Sequence, residues 1–129
     1  SALEPTYTAY YQPRLYRFQD VKESFRVAKA HGLFTTANYL VFPGVTDREE
    51  EVEAFLALVR ETGLDMIQMR NLSIDPALYL RHIPLPGGRA LGIRALLRTL
   101  RRECPQVEIG YFNRPKELFR SRLCDTLVF

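Results

Sequence analysis

The chain has 129 residues, of which 47% are hydrophobic and 26% are charged, so it is long enough for one domain with its own core. Its formal net charge of +3 permits contact with phosphates without requiring it. No apolar run approaches the ~20 residues that span a bilayer, and the first residues do not resemble a signal peptide. Two cysteines without metal-ligand spacing, Cys104 and Cys124, favour a reduced, cytoplasmic protein with no metal site of its own.

The first third of the chain predicts one helix and one strand. Residues 1–17 are rich in tyrosine, and we expect them to be irregular. Apolar side chains recur at helical spacing over residues 19–31, which predicts a helix, and Gly32 provides its C-terminal stop. Residues 34–42 are rich in β-branched and aromatic types, so they predict a largely buried strand.

The segment after this strand predicts a second helix with a defined start and end. Thr46, followed three residues later by Glu49, has the pattern of a capping box, and Gly63 marks the end of the helix. Its buried stripe consists of Val52, Phe55, Leu56 and Val59. Residues 66–70 then predict a second strand, which is short and again apolar in alternation.

The remainder of the chain predicts one more unit of helix and strand. A long loop with several prolines and glycines follows the second strand. Residues 90–103 predict a third helix, and residues 107–112 predict a third strand. We expect a short helical turn and a terminal strand in residues 116–129.

The order of the predicted elements indicates an α/β fold. Strands that are joined by helices of this length run parallel. The sheet is therefore either doubly wound or an arc of a β/α barrel. Because the sequence opens on a loop and a helix instead of a strand, we favour the C-terminal part of a larger barrel, with residues 1–129 as a single domain.

Polar residues in or after the predicted strands are the first candidates for a functional site. In parallel α/β folds, ligands bind at the carboxyl ends of the strands. Asn38 interrupts an apolar strand, and Gln68 and Arg70 alternate with apolar residues in the next strand. Inside a barrel, such groups need a polar ligand or each other. At strand ends they would instead face helices or solvent, and the residues alone leave both interpretations open.

Pro43 and Gly44 end the first strand abruptly. Proline removes a hydrogen-bond donor from the sheet, and glycine allows a sharp turn and a close approach of the backbone. We therefore expect the following loop to lie over a pocket. A plain turn between a strand and a helix would explain the same dipeptide.

Three segments together resemble radical S-adenosylmethionine (SAM) enzymes, with the closest pattern in the glycyl-radical activases. "LVFPGVTDREEE" (residues 40–51) resembles their fifth strand and helix, and "MIQMRNLSIDP" (residues 66–76) resembles their sixth strand. "SALEPTYTAYYQP" (residues 1–13) is similar to the stretch after the fourth strand. The resemblance covers residues 1–76, and residues 77–129 form an extension with a helix and a strand that matches no motif.

The resemblance implies the C-terminal half of a partial (β/α)6 barrel. The complete barrel holds a [4Fe–4S] cluster and SAM, and reductive cleavage of SAM yields a 5′-deoxyadenosyl radical that abstracts hydrogen from a substrate. The cluster-binding CxxxCxxC run is not in this sequence. We therefore expect it upstream, in a missing N-terminal half. We expect this chain alone to be inactive, to hold neither cofactor and to be able to dimerise through its open sheet edge.

The resemblance also implies roles for individual positions. Asn38, together with the backbone around Pro43 and Gly44, corresponds to the adenine and ribose environment. Gln68, Arg70 and Asn71 correspond to positions that contact SAM or substrate. No residue of this chain corresponds to a catalytic residue.

Two other classes of function compete with this one. The third predicted helix and its flank carry a basic face, which would suit an RNA- or nucleotide-binding module without catalysis or a simply solvated surface. That face consists of Arg89, Arg94, Arg98, Arg101 and Arg102. An independent flavodoxin-like domain would need a phosphate-binding glycine loop, but "PLPGGRALG" (residues 84–92) lacks the GxGxxG spacing.

Overall fold

A computed structural model describes residues 1–110 of the protein. After two initial helices, one helix separates the first two strands and two helices separate the second strand from the third. In chain order they are α1 (Glu4–Tyr11), α2 (Phe18–Ala30), β1 (Thr36–Val41), α3 (Glu49–Thr62), β2 (Met66–Asn71), α4 (Pro76–His82), α5 (Ile93–Glu103) and β3 (Glu108–Gly110). No helix in this part of the chain is long and apolar enough to cross a membrane.

The three strands form one parallel sheet in the order β1-β2-β3. Asn38 of β1 lies opposite Gln68 of β2, which in turn lies opposite Gly110 of β3. The predicted α/β class with a parallel sheet is therefore confirmed.

One face of the sheet packs against helices. The side chains on this helix-facing side are Ala37, Tyr39, Val41, Ile67, Met69 and Ile109, and they join the main core. Helix α3 lies between α2 and α5, and Phe55 of α3 stacks on the Tyr39 ring with 3.9 Å between ring centroids. Because successive strand residues point to opposite faces, the even-numbered strand residues lie on the other side of the sheet. We call that side the polar face, since most of its side chains are polar. It carries Thr36, Asn38, Gln68, Arg70 and Glu108 together with Leu40 and Met66.

Helices α1 and α4 form a second, smaller core with the segments that follow β1 and β2. Tyr79 of α4 contacts Phe42, which comes directly after β1, and Tyr10 of α1. Leu72 and Ile74, which follow β2, pack against the same cluster. The two short helices thus lie near the carboxyl ends of the first two strands.

Both of these short helices contradict the sequence predictions. Residues 1–17 were expected to be irregular, but they contain α1, which has a proline in its first turn, where proline is tolerated. The long loop after β2 contains α4, whose first residue is Pro76 and whose N-cap is Asp75. The Asp75 carboxylate accepts a hydrogen bond from the Leu78 backbone N–H at 2.7 Å.

The predicted capping box at the start of α3 is also wrong. The helix begins at Glu49 after Arg48, so Thr46 stands too far from it to cap it. Its hydroxyl instead donates to the Phe42 carbonyl and accepts from the Phe42 N–H, both at 3.0 Å. The predicted end of α3 is confirmed, because Gly63 adopts a left-handed conformation with φ of 65°.

The ends of β2 and α5 differ from their predicted ends by no more than three residues. The third strand is confirmed as far as Gly110. The predicted residues 111–112 of that strand and the predicted elements in residues 116–129 lie outside the described part of the chain.

Candidate functional site

The polar face brings together three of the residues that the sequence singled out. Asn38 and Gln68 are register partners on neighbouring parallel strands, and both belong to the even-numbered positions. Arg70, two residues further along β2, donates a hydrogen bond from Nη2 to Gln68 Oε1 at 3.1 Å. Their side chains are therefore not under the helices, and the exposure of Asn38 and Arg70 agrees both with a ligand site and with the alternative that they face solvent.

The three side chains differ in burial, and this decides what each can do. Gln68 is 4% exposed, whereas Asn38 and Arg70 are exposed. The Gln68 side-chain carbonyl helps to position the Arg70 guanidinium. The other N–H groups of that guanidinium form no hydrogen bond with the described residues and can donate to a ligand. Amide and guanidinium groups in general do not act as acids or bases near neutral pH. This arrangement can bind and orient an anionic or polar ligand, but it does not supply an acid or a base.

Asn71 does not join this group. As the last residue of β2 it alternates with Arg70, so it belongs to the helix-facing side, and it is exposed at the end of the strand.

Pro43 and Gly44 stand in a loop in which the backbone groups of Gly44 are already bonded within the protein. The Gly44 N–H donates to Asp47 Oδ1 at 2.6 Å, and its carbonyl accepts from Arg48 Nε at 2.8 Å. A Cβ at Gly44 would meet no atom within 4 Å, but the residue has φ of 85°. Glycine is therefore required here by the backbone conformation.

The same loop is joined to the glycine-rich segment 87–92. Asp47 is 3% exposed; its Oδ2 accepts from the Gly92 N–H at 3.0 Å, and its carbonyl accepts from the Leu91 N–H at 2.8 Å. The Arg89 N–H donates to Glu49 Oε2 at 3.1 Å, and the Gly87 N–H donates to the Glu50 carboxylate. Because these backbone donors already bind carboxylates, the segment does not offer a phosphate-binding loop.

The sequence missed a cluster of tyrosines at the carboxyl ends of the strands. Tyr7, Tyr10, Tyr11 and Tyr79 line a void of about 10 Å³ together with Leu40 of the polar face. Leu40 is the register partner of Arg70, so this tyrosine cluster borders the Arg70 end of the site. The sequence contains a pattern that predicts this cluster, because Tyr7, Tyr10 and Tyr11 follow the helical spacing of i, i+3 and i+4.

The sequence also missed a fully buried carboxylate, Glu51. Its Oε1 accepts from the Ala2 N–H at 2.6 Å and from the Tyr39 hydroxyl at 2.8 Å. Its Oε2 accepts from the Ser1 hydroxyl at 2.6 Å. Burial, followed by the neighbouring charge of Glu51, raises the pKa of Tyr39 well above its usual range. The signal was its position four residues before Phe55, which places Glu51 beside the apolar stripe of the helix.

No metal site stands among residues 1–110, where no three His, Cys, Asp or Glu side chains are grouped as metal ligands. Cys104 is buried at the end of α5, and burial is also the main reason why its pKa is raised. An iron–sulfur cluster needs several thiolates, so the described residues do not fit one.

Comparison with protein-family models, with the curated proteins and with the solved structures found no match to this chain.

Proposed function

We propose that this chain is the C-terminal part of a radical SAM enzyme, and that Asn38, Gln68 and Arg70 bind SAM in the complete protein. The observation that carries the proposal is the position of these three side chains on one face of a wholly parallel sheet, opposite the face that the helices cover. In β/α barrels the helices form the outer ring, and ligands bind at the carboxyl ends of the strands.

The arrangement of the helices supports an arc of a barrel over a doubly wound sheet. Helices α3 and α5 connect successive strands, and α2, α3 and α5 all contribute to the core on the same side of the sheet. A doubly wound sheet places helices on both faces. The only helices elsewhere in the described part of the chain are α1 and α4, which cluster with the segments after the strands.

The edge of β1 supports a continuation of the sheet. Within residues 1–110, β1 pairs only with β2, so the other edge of β1 has no neighbouring strand there. An open groove of about 580 Å³ lies along α2 and the turn after it, where Val27 and Leu33 are exposed. An unpaired strand edge suits a further strand, and exposed apolar groups on the helix layer suit a further helix. In our proposal these come from an N-terminal half of the barrel, and a dimer through this edge forms when that half is missing.

The residues present fit SAM but not the cluster. SAM carries a carboxylate, ribose hydroxyls and an adenine edge, for which the amide of Asn38 and the guanidinium of Arg70 offer donors and acceptors. The whole chain has two cysteines, Cys104 and Cys124, which cannot form a CxxxCxxC run. The cluster ligands must therefore come from outside residues 1–129.

In the complete enzyme, SAM bound to a reduced cluster would supply a radical for hydrogen abstraction. The part played by this chain is to bind and orient. Gln68, which is nearly inaccessible to solvent, fixes the guanidinium of Arg70 by accepting its hydrogen bond. Arg70 then presents a positive charge to the carboxylate, and Asn38 supplies neutral hydrogen bonds beside it.

The coding sequence upstream of Ser1 provides the first test. The proposal requires a CxxxCxxC run there, directly after a strand. A reading frame without such a cysteine triad would overturn the radical SAM function.

The second test measures SAM binding by the full-length protein, reconstituted without air. We expect Arg70→Ala to weaken binding by roughly tenfold to a hundredfold, since a charge-assisted hydrogen bond contributes about 1.5–3 kcal/mol. Arg60→Ala on α3 is the matched control, because it removes the same charge on the helix side of the sheet. Equal affinities of the two variants would show that the polar face does not bind SAM.

A further inference from the structure

Helix α5 presents a row of arginines on the side that faces away from the core. Arg94, Arg98 and Arg101 are exposed and follow the spacing i, i+4 and i+7, which places them on one face of the helix. We call them the arginine row. Leu96 and Leu100 on the opposite side are fully buried.

The arginine row differs from the basic side chains of the neighbouring helices. On α2, Lys22 pairs with Glu61 at 2.8 Å and Lys29 pairs with Asp65 at 2.6 Å. On α3, Arg60 pairs with Glu103 at 3.0 Å. No member of the arginine row forms an ion pair or a side-chain hydrogen bond with any residue between 1 and 110.

The arginine row also works against the stability of its own helix. Arg94 and Arg98 are like charges one turn apart, which repel each other. Arg94 is the second residue of α5, next to the positive end of the helix dipole, and the first turn contains no acidic residue. Arg101 lies in the last turn, where the helix dipole favours a cation. Arg94 and Arg98 are therefore the two members of the row that do not stabilise the helix.

We propose that the arginine row binds the phosphate backbone of a nucleic-acid strand. Three guanidinium groups spread over about 10 Å of helix, from a rise of 1.5 Å per residue, match a ligand that carries negative charge at regular intervals. Guanidinium groups bind phosphate through paired hydrogen bonds. This proposal rests on α5 alone and does not depend on the radical SAM function.

A membrane surface fits the row less well than a nucleic acid. Helices that bind in a membrane interface insert an apolar face into the lipid. The apolar side chains Leu96 and Leu100 are occupied in the core, and Leu97, which lies beside the arginine row, is partly buried. The contact would therefore be purely electrostatic and independent of base sequence.

The test measures binding of a fluorescent 20-nucleotide oligouridylate by the full chain as a function of salt concentration. We expect the double variant R94Q/R98Q to weaken binding by about tenfold at low salt. We also expect the slope of log K against log salt to become shallower by about 1.4, because each phosphate contact on a single strand contributes about 0.7. The control is R14Q/R81Q, which removes two exposed arginines that also lack a described partner, and we expect it to change affinity less than twofold.

A stability measurement separates loss of the surface from loss of the fold. We expect Arg94→Gln to raise the Tm slightly, because it removes helix repulsion and an unfavourable dipole contact, while it weakens RNA binding. Equal loss of affinity in R94Q/R98Q and R14Q/R81Q would overturn the proposal. So would equally tight binding of polyglutamate of the same length, or of vesicles with anionic headgroups, by the unmodified protein.

Discussion

The two faces of the sheet differ in composition and in solvent exposure. The helix-facing side is apolar and closed, with Ile67 inaccessible to solvent and Tyr39 stacked on Phe55. The polar face carries Asn38 and Arg70, which are exposed and contribute nothing to the main core. Parallel sheets are usually covered on both faces. A strand residue on the first face is therefore explained by packing, whereas a residue on the second face needs a ligand or a further part of the protein to explain it.

The largest expected effect lies on the helix-facing side. Ile67→Ala should lower the free energy of unfolding by about 2–5 kcal/mol, since it removes a buried side chain and leaves a cavity in the main core. Urea unfolding followed by circular dichroism measures the loss. A cost below about 1 kcal/mol would show that the helix-facing side contributes no more to the free energy of unfolding than the polar face does.

The buried carboxylate of Glu51 comes next. Glu51→Gln should cost about 1–3 kcal/mol, because the amide NH₂ cannot accept the hydrogen bonds that one carboxylate oxygen now receives. Glu53→Gln is the control, since Glu53 lies on the same helix but is exposed. If both variants unfold at the same urea concentration, the hydrogen bonds around Glu51 do not stabilise the fold.

Tyr39→Phe should cost about 1–2 kcal/mol near neutral pH, since Glu51 then loses a buried donor. The difference in the free energy of unfolding between the unmodified protein and Tyr39→Phe should become smaller above pH 10. Burial and the charge of Glu51 hold the pKa of Tyr39 in the folded protein well above the unfolded value of about 10. The stability that comes from the neutral phenol is complete below pH 10 and falls as the pH rises towards the folded pKa.

The pH dependence of unfolding tests this point directly. Above pH 10, the free energy of unfolding of the unmodified protein should fall more steeply than that of Tyr39→Phe, by up to about 1.4 kcal/mol per pH unit. Other tyrosines with a raised pKa, such as Tyr79 at about 12, contribute equally to both proteins. Parallel curves for the two proteins between pH 8 and 11 would contradict the prediction.

The sequence predicted the helix-facing side better than the rest of the fold. Periodic apolar residues such as Val52, Phe55 and Val59 identify α3, because packing requires that pattern. Gly63 marks the end of α3, since the left-handed conformation strongly favours glycine. These features depend on local chemistry, which a single sequence contains.

The errors fall where tertiary contacts override local signals. Thr46 and Glu49 have the spacing of a capping box, but Thr46 bonds to Phe42 and Glu49 pairs with Arg89, forty residues away. Helix α4 was missed because surrounding prolines suggested a loop, although Asp75 followed by Pro76 is itself a helix-start pattern. For the candidate site, alternation along the strands indicated the shared face of Gln68 and Arg70, but their hydrogen bond required the structure.

The smallest expected effect belongs to the polar face and is the sharpest test of the comparison. Asn38→Ala should change the free energy of unfolding by less than about 0.5 kcal/mol, as is usual for exposed side chains outside the core. Arg70→Ala should cost about 0.5–1 kcal/mol, because it removes one hydrogen bond to Gln68 Oε1. Urea unfolding of the full chain measures both values. The same two variants should weaken SAM binding in the full-length protein, so these positions would affect ligand affinity more than stability. A loss of more than 1 kcal/mol in either variant would mean that the residue is structural, and the contrast between the faces would no longer identify a binding site.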